Sequence, residues 1–258
     1  MTTTALSLTP LAGHLAAEVA NPLDAVLADA ELQDEIRAAL PEHGVLVMRG
    51  ANPTPAQQIE LAEIFGDARP PLGQNPRHPD NDLVCVFDSD EGYRAEKWHT
   101  DETFVEHPCT GAVLSMQINP EVGGDTLWTS TAAAYDALSN GMKALLANRR
   151  ARHEINEANF AFHPVIQTHP VTGRKLVYVN EIFTRGIVNL PPGESSAILP
   201  FLLWHVQQPQ FTYRHTWDDG DVVIWDNRCT QHIALPDFRG RRVVHRVEFH
   251  GEPFAPAA

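Results

Sequence analysis

The sequence predicts a mostly β protein, an antiparallel sandwich or barrel with helices packed outside it. Short apolar segments recur between turn residues along most of the chain, and they indicate many short strands. The chain has 20 prolines in 258 residues, above the usual share of about 5%, which favours a loop-rich fold over a long helical bundle. No βαβ repeat and no glycine-rich phosphate loop is evident. We expect one domain over residues 1–258.

Helical and extended patterns alternate through the first part of the chain. The spacing of Leu32, Ile36 and Leu40 predicts a helix that Pro41 is expected to end. Thr54 before Pro55 is typical of a helix start. The predicted elements are an arm or short strand over residues 1–22, a helix over 23–40, a strand over 45–48, a helix over 55–65 and a long loop over 67–82.

Strand patterns dominate the rest of the chain. Residues 149–152, with three arginines, are expected to be a solvated helix end, where cations favour the helix dipole. Gly123-Gly124 predicts a turn. The predicted elements are strands over residues 83–87, 112–118 and 125–129, a helix over 130–148 broken near residue 140, β-rich stretches over 175–180 and 221–226, a helix over 194–207 and a last strand over 242–250.

Charge and composition exclude several classes of partner. The formal net charge of −14 disfavours nucleic acid and anionic membranes, so an anionic ligand would need a local basic pocket. No apolar run approaches the ~20 residues of a membrane span, and the first basic residue, Arg37, comes too late for a secretory signal. Three widely spaced cysteines do not suggest a disulfide framework. We therefore expect a cytoplasmic protein.

A His-x-Asp sequence is the first candidate for a metal site. Side chains two residues apart lie on one side of a strand, so the pair can supply two ligands of a facial triad. Composition alone predicts about two His-x-acid matches, and there are three, so the motif by itself is weak. The pairs at His78 and His250 fit chance, because one lies in a proline-rich loop and the other near the end. His99-Thr-Asp101 stands out because Trp98 and Phe104 can wall a site.

A second cluster of polar residues follows the strand at 221–226. It ends in His232, and Arg242 and Arg246 come shortly after. In a strand these two arginines lie on one face about 13 Å apart, which suits the binding of two separate anionic groups. The alternative is a solvated strand face with a basic rim.

Six motifs together resemble the TauD/TfdA family, the taurine and 2,4-D type of Fe(II)/2-oxoglutarate dioxygenase. They occur in the family's order, and the resemblance covers residues from about 40 to 254. The motifs are His43-Gly-Val-Leu-Val-Met-Arg-Gly50, Trp98-His-Thr-Asp101 with Thr103-Phe104, Gly123-Gly-Asp-Thr-Leu-Trp128, Thr168-His-Pro-Val-Thr-Gly-Arg174, Val179-Asn-Glu181 and Trp225-Asp-Asn-Arg-Cys-Thr-Gln-His232.

The resemblance implies a double-stranded β-helix, or jelly roll, and a set of site residues. His99, Asp101 and His232 would ligate Fe(II), and Thr126 and Arg242 would hold the distal carboxylate of 2-oxoglutarate. The implied reaction uses O₂ and hydroxylates a substrate while 2-oxoglutarate is decarboxylated to succinate and CO₂. Because Asp101 is retained, the resemblance argues against a radical halogenase.

Substrate residues carry over less directly. Arg246 would lie on the substrate side, and Glu102 and Asn75 are further candidates for substrate contact. By counting from His99, the loop positions that touch substrate in taurine-specific members are Pro70 and Gly73. The positions before Trp98 include Arg94 and Lys97, where an amine-binding acid is replaced by a cation, so taurine is disfavoured. The expected substrate is a small organic acid, such as an alkyl sulfonate, a sulfate ester or an aryloxyalkanoate.

Two alternatives stay open. The same iron site would serve a biosynthetic hydroxylase or desaturase of an amino-acid-derived or carrier-bound intermediate. A non-catalytic metal-binding β barrel would keep the histidines without needing Arg242 and Thr126. A homodimer or homotetramer is possible in either enzymatic case.

Overall fold

Antiparallel strands dominate the computed structural model, which describes residues 5–73, 75–92 and 96–255. The strands are β1 Leu8–Pro10, β2 Ala17–Val19, β3 Val45–Met48, β4 Asp67–Arg69, β5 Arg77–His78, β6 Asn81–Asp88, β7 Gly111–Ile118, β8 Thr126–Ser130, β9 Arg150–Asn156, β10 Asn159–Pro164, β11 Ile166–Thr168, β12 Lys175–Val177, β13 Thr184–Val188, β14 Thr212–His215, β15 Val222–Asp226, β16 Thr230–Ala234 and β17 Val243–His250. The helices are α1 Leu23–Ala28, α2 Ala30–His43, α3 Pro55–Glu63, α4 Thr131–Asp136, α5 Asn140–Leu146 and α6 Pro192–Val206.

Two facing sheets form the jelly roll that the sequence predicts. The larger sheet has nine strands in the order β1-β2-β3-β15-β7-β17-β6-β5, with β4 paired to β17. The smaller sheet has the order β14-β8-β16. A buried cluster that contains Trp128 of β8 together with Val223 of β15 and Val244 of β17 fills the space between the sheets. The mostly β fold class is therefore confirmed.

The first three helices cover the other face of the larger sheet. Side chains of β3, β7, β15 and β17 alternate between the two cores, as the period of two requires. Val113, Ile224 and Val247 pack against helix residues such as Ile36 and Leu61. A third buried cluster lies among α4, α5, α6 and the strands β9 to β13. No helix in the described part of the chain is long and apolar enough to cross a membrane.

Local capping explains where the helices begin. Thr54 accepts a hydrogen bond from the Gln57 backbone while Gln57 reaches back to Thr54, so α3 starts with a capping box where the sequence predicts it. The predicted helix over residues 23–40 is two helices, because Asp29 leaves the helical conformation and caps α2. Pro41 does not end α2. The helix runs to His43, where Gly44 closes it at a φ of 68°.

The expectation of a helix end at residues 149–152 was wrong. α5 ends at Leu146, and Arg150 begins β9, which pairs with both β10 and β13. Ala151 and His153 are buried while Arg150 is exposed, so burial follows the strand period. The predicted break in the helix over 130–148 is confirmed, with Ser139 capping α5.

Candidate active site

Two histidines from distant parts of the chain are joined by their main chains at the mouth of the jelly roll. The His99 backbone N–H donates to the His232 carbonyl at 3.0 Å, and the His232 N–H donates back to the His99 carbonyl at 2.8 Å. His232 lies in β16, beside Trp128 of β8 in the strand register. This antiparallel bridge fixes the relative position of the two imidazoles, and Asp101 follows two residues after His99.

Asp101 completes a cluster that can hold a divalent cation. The Asp101 Oδ1 is 3.6 Å from His99 Nε2, and its Oδ2 is 3.8 Å from His232 Nε2. All three residues are buried, with 5–7% of their surface exposed. The His99 Nδ1–H donates to the Lys97 carbonyl at 2.8 Å, which leaves Nε2 as the free donor atom. Asp101 Oδ2 has no hydrogen-bond partner among the described residues, and a buried carboxylate oxygen of this kind fits a metal ligand.

Electrostatics keeps Asp101 and His232 in the protonation states that bind a metal ion. Burial raises the pKa of Asp101, but the charges of Arg246, His232 and His99 outweigh it and hold that pKa at about 2. Burial and the neighbouring His99 lower the pKa of His232 to about 3. Near pH 7 Asp101 is therefore a carboxylate and His232 a neutral imidazole, and together with His99 they form the donor set of a facial triad.

The cluster opens into a cavity of ≈ 250 Å³ between the two sheets. Its walls are mostly apolar, and its polar groups converge from β8, β16 and β17. The lining residues beyond the two histidines are Asn75, Phe87, Ser89, Glu96, Leu114, Thr126, Trp128, Trp225, Ala234, Leu235, Pro236, Phe238, Arg242, Val244 and Arg246. A mostly apolar cavity with a few convergent polar groups is typical of a small-molecule site.

Arg242 brings a positive charge to this cavity without a carboxylate partner in the described part of the chain. Its Nε donates to the Gly124 carbonyl at 3.2 Å, and its Nη2 approaches Thr126 Oγ1 at 3.5 Å. Burial lowers the pKa of Arg242 to about 10, so the guanidinium stays charged at neutral pH. The Trp217 Nε1–H also donates to Thr126 Oγ1 at 3.0 Å and fixes that hydroxyl. The pair can therefore bind the carboxylate of a ligand.

The Gly123-Gly124 turn is needed for this arrangement. Both residues have positive φ angles, 78° and 76°. A Cβ on Gly124 would lie 3.2 Å from Arg242 Cδ, and one on Gly123 would lie 2.4 Å from the Asp237 carbonyl oxygen. Side chains here would force the turn away from Arg242.

Arg246 is held differently, between two carboxylates. Its Nη1 is 3.1 Å from Asp101 Oδ1, and its Nη2 is 2.5 Å from Glu248 Oε1. Its guanidinium carbon also lies 4.9 Å from the centre of the Phe87 ring. Burial raises the pKa of Glu248 to about 8. Arg246 opposes this rise, and the carboxyls of Glu102 and Asp101 add to it.

The structure brings most of the sequence-predicted residues together. His99, Thr126, Arg242, Arg246 and Asn75, with His232, line the cavity, and Asp101 lies within the metal cluster.

Glu102 does not line the cavity. Its Oε1 accepts the Leu72 backbone N–H at 2.8 Å, and its carboxyl lies near Glu248 and Cys109. Pro70, Gly73 and Lys97 are exposed and are not among the lining residues. Arg94 falls outside the described residues.

Sequence reasoning missed the cavity walls and Glu248. Phe238 and Pro236 come from the irregular segment after β16, and no spacing rule connects that segment to the site. The strand period of two could have identified Glu248, because Glu248 follows Arg246 on the same face of β17. Two further buried histidines make contacts within the protein: His153 contacts Thr103, and His215 contacts Asp221.

A jelly roll that carries a His-Asp-His cluster beside a buried arginine, which has no carboxylate partner in the described part of the chain, defines an Fe(II)- and 2-oxoglutarate-dependent dioxygenase. A family model described as "Taurine catabolism dioxygenase TauD, TfdA family" matches residues 7–247. The chain belongs to the TauD/TfdA family and is a dioxygenase with Fe(II), 2-oxoglutarate and O₂ as its cofactor and co-substrates. This membership argues against a non-catalytic barrel.

Individual relatives cover nearly the whole chain. An alkylsulfatase of Acinetobacter baylyi is 33% identical over 276 residues, covering 96% of this chain and 86% of the relative. An (S)-phenoxypropionate/alpha-ketoglutarate-dioxygenase of Sphingobium herbicidovorans is 32% identical over 284 residues, covering 98% of each chain. The crystal structure of a taurine dioxygenase from Burkholderia xenovorans is 31% identical, with a TM-score of 0.88 over 98% of this chain and 94% of that one.

Proposed function

We propose that this dioxygenase hydroxylates a small organic acid of the alkyl sulfonate, sulfate ester or aryloxyalkanoate type, coupled to decarboxylation of 2-oxoglutarate to succinate and CO₂. One observation carries the proposal: a single cavity contains both the His-Asp-His cluster and Arg242, which has no carboxylate partner in the described residues. The named activities of the two relatives, which concern a sulfate ester and an aryloxy acid, support this substrate class.

Each polar residue of the cavity has a role in this proposal. His99, Asp101 and His232 ligate Fe(II) with one carboxylate and two imidazoles. Arg242 and Thr126 bind the distal carboxylate of 2-oxoglutarate, because the guanidinium is charged and has no carboxylate partner within the described residues. Arg246 and Asn75 lie on the substrate side of the cavity. Glu102 lies outside the cavity lining, where it bonds the Leu72 backbone.

Bound Fe(II), with 2-oxoglutarate, supplies the activation of O₂ and the removal of a hydrogen atom from the substrate carbon. The chain's own residues position the reactants. The main-chain bridge holds the two imidazoles, and the Lys97 carbonyl fixes the orientation of the His99 ring. Arg242 anchors one end of 2-oxoglutarate and so orients its other end toward the cluster. The walls formed by Leu114, Trp225 and Val244 exclude water from the reacting atoms.

The test combines binding and turnover. Under anaerobic conditions, Fe(II) followed by 2-oxoglutarate is expected to produce the weak visible charge-transfer band of the chelate. Adding hexyl sulfate, butanesulfonate, taurine or 2-phenoxypropionate should shift this band for one class of acid. Succinate should then form in air with that same class. The His99→Ala variant is the control, and the absence of both band and succinate in the natural protein would contradict the proposal.

We also propose a cytoplasmic location and a single catalytic domain over residues 1–258. The buried, unbridged Cys85, Cys109 and Cys229 support a reducing compartment. Assembly into a homodimer or homotetramer stays a prediction, and gel filtration with light scattering would test it.

A further inference from the structure

The guanidinium of Arg246 is already committed to protein carboxylates. Nη1 contacts Asp101 Oδ1 at 3.1 Å and Nη2 contacts Glu248 Oε1 at 2.5 Å, so both terminal nitrogens have an acidic partner. Its Nε is buried and has no hydrogen-bond partner among the described residues. Arg242, which lies four residues earlier and lines the same cavity, has no such carboxylate partner among the described residues. The positive charge of Arg246 is therefore compensated by two carboxylates, whereas that of Arg242 has no such compensation among the described residues.

The Glu248 carboxyl lies close to two further buried side chains. It is 1% exposed, and its carboxyl oxygens lie within 4.8 Å of those of Glu102 and of the Cys109 thiol. Glu102 is anchored by the Leu72 backbone N–H at 2.8 Å and is held in a left-handed conformation with a φ of 57°. A buried carboxyl beside a second carboxyl is costly unless a cation compensates it, and Arg246 is that cation. The position of Arg246 is thus set by β17 and not by a ligand.

Resting on the proposed function, we propose that Glu248 is the specificity-determining residue of the substrate half of the cavity. It holds Arg246 against Asp101 and occupies one of its terminal nitrogens, so the acid group of a substrate has to compete with a protein carboxylate for this arginine. Bidentate capture of a carboxylate or sulfonate by Arg246 is blocked while Glu248 is in place. In its ionised form Glu248 therefore weakens the binding of the anionic group and leaves the apolar walls to select the rest of the substrate.

The prediction is a gain in anion affinity when Glu248 loses its charge. Glu248→Gln keeps the size and the hydrogen-bond acceptor but removes the negative charge a few ångströms from the anion's position. The natural protein can also remove this repulsion by protonating Glu248, which costs about 1.4 kcal/mol one pH unit above its pKa of about 8. The binding of a monoanion should therefore tighten by up to about tenfold at about pH 9. An uncharged probe of the same shape should bind equally well to both proteins.

Calorimetry with an unreactive complex measures this directly. The protein is loaded with Mn(II) and N-oxalylglycine at about pH 9, above the pKa of Glu248, and titrated with phenoxyacetate and with uncharged 2-phenoxyethanol. We expect the Kd of phenoxyacetate to fall about tenfold in Glu248→Gln and Glu248→Val, with the Kd of phenoxyethanol unchanged. Glu63→Gln is the matched control, because it removes one exposed carboxylate of α3 outside the cavity lining and should leave the phenoxyacetate Kd near the natural value.

The outcomes separate the inference from the function on which it rests. An unchanged or weakened phenoxyacetate Kd in both Glu248 variants, or an equal shift for the two probes, would overturn the role of Glu248 while succinate formation by the natural protein continued. Absence of succinate with every acid would instead overturn the proposed function. A melting temperature for each variant shows whether it is folded, and Glu248→Val suits a strand if Glu248→Gln does not fold.

Discussion

Replacing Arg242 by alanine tests the 2-oxoglutarate site most directly. The guanidinium has two contacts within the protein, to the Gly124 carbonyl and to Thr126 Oγ1, and no ion pair within the described residues. Truncating one partner of a buried charge pair costs about 2–5 kcal/mol, and each 1.4 kcal/mol is about tenfold in affinity. The KM for 2-oxoglutarate should therefore rise about 30-fold or more.

The neighbouring Arg241 provides a matched control. Its side chain is 52% exposed and pairs with Asp88 at 2.5 Å on the surface, where ion pairs contribute little. Succinate formation is measured against 2-oxoglutarate concentration, and the anaerobic Kd of 2-oxoglutarate is measured beside it. Arg242→Lys should recover only part of the affinity, because it keeps the charge but loses the planar fork. A KM within about threefold of the natural value in Arg242→Ala, or an equal rise in Arg241→Ala, would refute the assignment.

Three further predictions follow from other contacts. Asp101→Ala should abolish succinate formation and Mn(II) binding by calorimetry. Its circular dichroism should stay unchanged, since the bridge between His99 and His232 uses main-chain atoms; a folded variant that still turned over would contradict the ligand role. Thr126→Val removes the hydroxyl between Trp217 and Arg242, so the KM for 2-oxoglutarate should rise about three- to tenfold, and an unchanged KM would exclude that contact. Burial raises the pKa of Asp226, but Arg228 and His169 hold it at about 2, below its ordinary value. The unfolded chain therefore binds the proton first, and this stability is present above about pH 4 and lost as the pH falls toward 2. In urea unfolding, the advantage of the natural protein over Asp226→Asn should shrink by about 2 kcal/mol over that range, and a constant difference would be inconsistent with this assignment.

The metal cluster and the 2-oxoglutarate residues could be anticipated because each rests on local spacing within an extended segment. His99 and Asp101 are two residues apart, and Arg242 directly precedes β17 while Arg246 lies within it, so the spacing of each pair was readable from the sequence, and both arginines line the cavity. Co-ordered motifs then joined the separate segments. The capping of α3 by Thr54 was visible for the same local reason.

Features that depend on tertiary pairing were not accessible in this way. The arginine-rich segment before β9 looked like a helix end, because its pairing with β10 and β13 is set by residues outside any local window. Glu102 carries a carboxylate and was therefore a candidate for substrate contact. Its backbone is left-handed, however, and its carboxyl bonds Leu72 and lies near Glu248. Charge type alone could not distinguish Arg246, which forms ion pairs with carboxylates, from Arg242, which has no carboxylate partner among the described residues.

The backbone bridge between His99 and His232 has a consequence for how this centre can evolve. Its frame consists of amide and carbonyl groups that every non-proline residue carries, so the positions of the donor side chains do not depend on which donors are there. A change of side chain at residue 99 or 232 can alter the coordination chemistry without rebuilding the backbone that presents it. The backbone geometry of the centre can therefore stay the same while its donor side chains change. The scaffold and the reaction can be inherited separately.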